Sequence, residues 1–485
     1  MTALIRVDLD RVLGQVDRRM FGGFVEHLGR CIYGGIFDEG SPLSDSSGFR
    51  TDVLAALRTL QPPVVRWPGG NFVSGYRWTD GIGPRDARPR KIELAWGSEE
   101  SNRFGTDEFI AYCRALGAEP HICINMGTGT LDEAQAWVEY CNGTGDTYWA
   151  NRRRANGHAE PYAVRYWGLG NEMYGEWQIG GMSAHEYVAA ARRYARIMLR
   201  TDPTIELVGC GQWGDTEWDR IVLEGLAELV RYHSIHIYTG SSDYLTNVLQ
   251  PHQADRALRI CEALIDQVRH TQRIRDPVGI AYDEWNVWYR TRTATGRAGG
   301  LEEQYDLSDA LAVACFLNVF VRHCRSVAMA NLAQMVNVIA PVFTRSDGLF
   351  LQTIYHPLRL YAEHTQAIAL DPLVISRPLT PEGGIADLGP FQALDAVASR
   401  DADRRVVTIA VINRHPHDAI ETSVELIGAV DQWSTGDVYE LGGANPEDAN
   451  SFAEPTRVAV RERSLDSTRT YSFPPHSLSI LRLQR

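Results

Sequence analysis

VRYWGLGNE, residues 164–172, and GIAYDEW, residues 279–285, each set a short apolar run directly before a glutamate. Brief runs of this kind, bounded by helix-like segments, read as strands of a parallel sheet buried on both faces. Working outward, six more runs share the texture: FGGFVEHL (21–28), VVRWPGGN (64–71), HICINMG (121–127), ELVGCG (206–211), HSIHIY (233–238) and SVAMANLAQ (326–334). Helix-like stretches lie between them, such as TDVLAALRTL (51–60), TDEFIAYCRALG (106–117), LDEAQAWVEYC (131–141), SAHEYVAAARRYARIMLR (183–200) and ADRALRICEALIDQVRHT (254–271). The first, second and fourth open on Thr or Ser with an acidic residue nearby, the signature of a helix start. Alternating strand and helix means βα units and a parallel sheet. Eight repeats predict a (β/α)₈ barrel, with a doubly wound sheet as the alternative.

After about residue 375 the helical period fades. VVTIAVINR (406–414), ETSVELIG (421–428) and SLSILRLQ (477–484) alternate like strands with one face toward water. They predict a C-terminal antiparallel β-sandwich, to which the alternating N-terminal ALIRVDLDR adds a strand. The expected division is residues 1–17 as a strand joining the sandwich, 18–375 as the catalytic barrel and 376–485 as the sandwich.

Composition narrows the partners. The formal net charge of −13 argues against nucleic acid and against an anionic membrane. Lys91 is the only lysine, so a Schiff-base or phosphate-loop lysine has one candidate, and its RPRKIEL setting suits neither. The eight cysteines form no CxxC pair and no Cys/His cluster, which reads as reduced, buried thiols and no metal site. The charged N-terminus does not resemble a signal peptide. LAVACFLNVFV (311–321) is too short to span a bilayer and reads as a buried helix. A cytoplasmic protein working on short imported molecules is expected, with no cofactor.

In a barrel enzyme, reactive groups stand at the C-terminal ends of the strands. Read off the runs, these ends carry Glu26-His27, Arg66 with Gly69-Gly70-Asn71, Asn125, Asn171-Glu172, His236 with Tyr238, and Asp283-Glu284-Trp285-Asn286. Glu172 and Glu284 stand out, because a carboxylate behind a buried run is costly unless something uses it. Hydrolysis of a glycosidic bond needs two carboxyl groups facing across the anomeric carbon, one holding a proton and one ionised. Strands 4 and 7 put them on opposite sides of the barrel mouth. The competing reading makes one of them a structural salt-bridge partner of Arg66. His27 reads more readily as a structural histidine than as a site residue. GLGNEM lacks the third glycine of a dinucleotide fingerprint.

The flanking residues add a resemblance. GLGNEMYGEWQIG (168–180), YDEWNVWY (282–289), FGGFVEHLGRCIYGGIFDEGSP (21–42), RWPGGNFVSGYRWTDGIGPR (66–85) and NLAQMVNVIAPVFT (331–344) resemble glycoside hydrolase family 51, the intracellular α-L-arabinofuranosidases. The resemblance implies a barrel with a β-sandwich and a retaining exo-hydrolase that releases arabinofuranosyl units from arabino-oligosaccharides. It implies Glu172 as acid/base and Glu284 as nucleophile. Glu26, Asn71 and Asn171 match residues that bond furanose hydroxyls, Trp288 and Gln352 match pocket residues, and Tyr238 matches a residue that holds the nucleophile. Arg66 and His236 are expected to support the carboxylates, and Trp96, Trp177 and Tyr174 to stand at the entrance. Family members are often hexamers, so a homo-oligomer is expected. Tyr174 departs from the pattern, since an acidic residue usually follows GNEM. The segment TGSSDYLTNVL after strand 6 also diverges. The alternatives are the same machinery on a β-xyloside, a galactofuranoside or an endo-cleaved β-glucan, and a sugar-binding protein without turnover.

Overall fold

Each of the eight quoted runs overlaps one strand of a closed parallel barrel. The computed structural model describes residues 3–291, 301–381, 384–428, 435–465 and 469–484. The barrel strands are β1 (Gly22–Phe24), β2 (Val64–Trp67), β3 (Glu119–Cys123), β4 (Tyr166–Leu169), β5 (Glu206–Gly209), β6 (Tyr232–Thr239), β7 (Gly279–Val287) and β8 (Val327–Ala333). They pair in chain order, and β8 closes on β1. The doubly wound alternative is therefore excluded. Helices fall where the period of the sequence placed them, including Thr51–Leu60, Thr106–Leu116, Leu131–Asn142, Ala184–Thr201 and His252–Gln272. Ser183 caps the fourth of these by accepting from the Glu186 amide, while the Glu186 carboxylate accepts from the Ser183 amide. The first helix departs from expectation: its cap is Arg50, with no side-chain capping bond, because the Thr51 hydroxyl donates to the Leu43 carbonyl instead.

Two further sheets pack face to face. One holds Leu373–Ile375, Ala3–Asp8, Ile420–Ile427 and Thr470–Phe473. The other holds Val12–Gln15, Ile368–Leu370, Leu394–Arg400, Val406–Asn413, Ser477–Gln484, Thr435–Gly442 and Ala459–Ser464. The strand Ala3–Asp8 lies parallel to Ile420–Ile427, Ala3 opposite Thr422, although its other neighbour is antiparallel.

The expectation of one wet face holds for Ile420–Ile427, which alternates buried and exposed, but fails for Val406–Asn413 and Ser477–Gln484. Val407, Ile409 and Val411 face the opposing sheet with Ile5, Val424 and Phe473, whereas Ala410 and Ile412 face the barrel's own core. The seven-stranded sheet is thus covered on both sides. Its barrel-side cover is the helix Leu307–Arg322, which packs between β7 and the strands Leu394–Arg400, Val406–Asn413 and Ser477–Gln484. This explains why that helix is apolar around most of its circumference. All eight cysteines are buried and free. Among the described residues, no helix is long and apolar enough to cross a membrane.

Candidate active site

Local irregularities deliver the two glutamates. After β4 the chain turns sharply, with Gly170 at φ 78° and Glu172 at φ 43°. A non-glycine residue held in the left-handed region is strained, and such strain gathers at functional sites. In β7 the two neighbouring strands both meet one extra residue. Ser234 and His236 pair with Ala281 and Glu284, while Ala330 and Leu332 pair with Tyr282 and Trp285. This is a β-bulge between Tyr282 and Glu284. It lets the consecutive carboxylates Asp283 and Glu284 both reach interior partners. On β6 the ordinary two-residue period sends Ser234, His236 and Tyr238 inward, to Asp283 Oδ1 (2.5 Å), Glu172 Oε1 (3.0 Å) and Glu284 Oε2 (2.8 Å) respectively.

β4 and β7 are separated only by β5 and β6, so the glutamates face each other across part of the mouth rather than along a diameter. One oxygen of Glu172, one of Glu284 and a nitrogen of His236 lie within 4.8 Å of one another. His236 stands between the carboxylates, with Nδ1 3.6 Å from Glu284 Oε2 and Nε2 3.3 Å from Asp283 Oδ1. Among the described residues this trio is the only group of three side chains of metal-ligating type whose ligand atoms converge so closely, and His236 already bonds Glu172 within it. Arg66 is buried beneath them. It donates to Glu284 Oε1 (2.6 Å) and Asn171 Oδ1 (2.5 Å), and its Nε lies 3.3 Å from Asp283. Arg66 thus sits where it compensates the buried nucleophile candidate.

Burial alone would lower the pKa of His236, but the charges of Glu284, Asp283 and Glu172 outweigh it and push it up to about 10. Burial would raise Glu172, yet the hydrogen bond and charge of His236, with bonds from Trp177 and Tyr174, hold it below the usual carboxylate range. Burial and the charge of Glu284 push Glu26 up to about 8, against donation from the Phe72 amide and the Trp96 indole. His236 binds its proton more tightly folded than at its ordinary value of 6.5. Its contribution to stability is therefore complete below about pH 6.5 and is lost as pH rises toward 10. Thermal melting should fall between about pH 7 and 9.5, and less steeply in His236→Gln; an equal slope in the variant would refute this assignment.

These groups line a cavity of about 370 Å³, whose walls include Phe24, Glu26, Leu28, Asn71, Trp96, Glu172, Trp177, Tyr238, Glu284, Trp288 and Gln334. Trp96 donates its indole N–H to Glu26 Oε1 (3.0 Å). Trp288 packs edge-on to Tyr238 at 5.4 Å. Asn171 keeps its Nδ2 buried and without a protein partner. The paired glycines also find their reason. Gly70 has φ 67°, and a Cβ there would lie 2.3 Å from the Glu26 carboxylate. Gly70→Ala should displace Glu26, lower kcat/KM by on the order of tenfold and cost about 1–3 kcal/mol in stability, read by kinetics and melting.

Two placements differ from expectation. Gln352 is not among the cavity residues. It is fully buried, its Nε2 donates to the carbonyls of Glu303 (2.9 Å) and Ala340 (2.7 Å), and its Oε1 accepts from the Tyr305 amide (2.9 Å). Three interior backbone groups would be orphaned without it, so the amide is consumed there. Tyr174 is not on the cavity wall either. It lies behind Glu172 and donates to Oε1 (3.3 Å), while the 59% exposed Trp177 donates to Oε2 (3.1 Å). The residue overlooked in sequence is Gln334, at the end of the eighth run, which donates to Glu26 Oε2 (3.0 Å) and accepts from the Glu26 amide. Its position at a strand's C-terminal end was the available signal. His27 is structural, bonded to Glu100 (2.8 Å) and stacked on Phe72.

Comparison with known proteins identifies the family. The family described as "Alpha-L-arabinofuranosidase 1 domain" matches residues 56–256, and "Alpha-L-arabinofuranosidase C-terminal domain" matches residues 283–477. Alpha-L-arabinofuranosidase C of Emericella nidulans is 43% identical, over 99% of this chain and 97% of the relative. The intracellular exo-alpha-(1->5)-L-arabinofuranosidase of Halalkalibacterium halodurans is 37% identical, over 88% of this chain and 87% of the relative. Among solved structures, the arabinose complex of the Thermotoga maritima α-L-arabinofuranosidase superposes with TM-score 0.93 at 43% identity, each chain covered in full. The family 51 enzyme of Thermotoga petrophila gives TM-score 0.92 at 42% identity, again with full coverage of both chains. The chain belongs to the α-L-arabinofuranosidases of glycoside hydrolase family 51.

Proposed function

We propose that this protein releases terminal non-reducing α-L-arabinofuranosyl units from arabino-oligosaccharides by a two-step, configuration-retaining displacement. The observation that carries the mechanism is the approach of Glu172 and Glu284 oxygens to within 4.8 Å. So close an approach of one oxygen from each carboxyl supports the roughly 5–5.5 Å carboxyl spacing of a retaining pair over the roughly 6.5–9.5 Å of an inverting one.

Glu284 is the nucleophile, paired with Arg66 and steadied by the Tyr238 phenol. Its oxygen forms a bond to the anomeric carbon while Glu172 gives a proton to the departing oxygen. In the second step Glu172 takes a proton from water, and that water breaks the ester at Glu284. The proton for the first step is carried by Glu172, whose Oε1 is held by His236 Nδ1 at 3.0 Å. Asn171 Nδ2 bonds the 2-hydroxyl, and Glu26 and Asn71, which line the cavity, read the remaining hydroxyls. An intracellular relative supports work on short oligosaccharides in the cytoplasm.

The test is a panel of aryl α-L-arabinofuranosides, β-D-xylosides and galactofuranosides with early product analysis by NMR. Preferred turnover of the arabinofuranoside with retained configuration is expected. A better xyloside, or an inverted product, would overturn the substrate or the mechanism respectively.

A further inference from the structure

The two oxygens of Glu172 are held unequally. Oε1 receives the His236 Nδ1 contact (3.0 Å) and the Tyr174 hydroxyl (3.3 Å). Both donors are anchored. His236 is buried and tied to Asp283 through its other nitrogen. The Tyr174 ring stands edge-on to Trp177 at 6.1 Å and to Trp218 at 5.6 Å. Trp218 is itself buried, with its indole bonded to the Cys210 carbonyl at 2.9 Å. Oε2 has a different partner, the indole N–H of Trp177, which is 59% exposed and lines the cavity. Oε2 therefore points to the side from which a leaving group departs.

We propose that Tyr174 is a positioning residue which, together with His236, occupies Oε1 so that the proton is delivered from Oε2. The leaving-group oxygen then takes the place of the Trp177 N–H. This rests on Glu172 being the acid. In the first step the Oε2–H bond breaks and its proton goes to the glycosidic oxygen. The bond from the anomeric carbon to that oxygen breaks with its electron pair going to the oxygen, and a Glu284 oxygen bonds to the carbon. Negative charge is left on the Glu172 carboxylate, and the Tyr174 hydroxyl bond strengthens as that charge grows. An interaction stronger in the transition state than in the ground state accelerates the step. It does so in proportion to how far the leaving group needs the proton.

The experiment is Tyr174→Phe in the full chain, measured as kcat/KM across arabinofuranosides whose leaving groups run from dinitrophenol to an unactivated alcohol. The ratio of activated to unactivated kcat/KM should rise on the order of tenfold over the parent, part of the roughly 10²–10⁴-fold that general acid catalysis supplies. A uniform fall across the series would mark a structural role and overturn the proposal, as would no change. A rise confined to Trp177→Phe would put Oε1 at the leaving group and overturn it too. Glu172→Ala measured alongside separates the two readings. If that variant shows no steeper leaving-group dependence, the acid assignment itself fails. If it does while Tyr174→Phe does not, only the role of Tyr174 fails.

Discussion

Glu284→Ala should lose turnover of every arabinofuranoside, activated or not, by roughly 10⁴-fold or more. The loss does not depend on the leaving group because what is missing is the atom that bonds to the anomeric carbon. Glu284 holds one Arg66 nitrogen at 2.6 Å and the Tyr238 hydroxyl at 2.8 Å. Arg66 keeps Asp283 at 3.3 Å and Asn171 at 2.5 Å after the change, so its charge stays compensated and the barrel should still fold. Melting separates the outcomes: inactivity with a folded chain supports the nucleophile, whereas inactivity with an unfolded one says nothing about chemistry and calls for Glu284→Gln. Azide at high concentration supplies a decisive reading. In the cavity left by the carboxylate it attacks the anomeric carbon once, so any glycosyl azide formed must have inverted configuration. A retained azide adduct from this variant would take the nucleophile assignment away from Glu284.

How far the chain could be read in advance divides along physical lines. The eight barrel strands were legible because a buried parallel strand has no wet face, and its run of apolar residues ends abruptly where the polar mouth begins. Glu172 and Glu284 were legible for the same reason. Their spatial relation was less so. Asp283 and Glu284 are consecutive, and a regular strand would send one of them outward; only the bulge in β7 brings both inside, and no residue pattern announces it. Gln352 shows the opposite limit. It was expected in the pocket and is not among the cavity residues, because which groups compete for a side-chain amide depends on the backbone folded around it, here Glu303, Tyr305 and Ala340. The strands Val406–Asn413 and Ser477–Gln484 misled because a sheet covered by another sheet on one face and by a helix on the other hides both of its periods.

The variant at the other glutamate should behave differently, and the contrast is the stronger test. In Glu172→Ala, an activated aryl arabinofuranoside needs no proton to depart, so its first step should survive close to the parent rate. Release of the sugar from Glu284 then lacks the base that activates water, and the glycosyl-enzyme should accumulate, visible as a burst followed by slow turnover. Unactivated substrates should fall by roughly 10²–10⁴-fold in kcat/KM, the usual worth of a general acid. Azide needs no base, so it should restore turnover of the activated substrate and yield an azide of retained configuration, the product of two successive inversions. The neighbours make the site receptive to it: removal of the carboxylate leaves the cation on His236, which had bonded Oε1 at 3.0 Å, facing the vacated space. Its proton should also become easier to lose, because one of the negative charges that raised its pKa is gone. The rescued rate should therefore decline as pH rises through a lower value than the parent's His236 titration, measured by following azide adduct formation against pH. Equal loss on activated and unactivated substrates, with no azide adduct, would remove Glu172 from the role of acid and leave the separation of the two carboxylates without its chemical meaning.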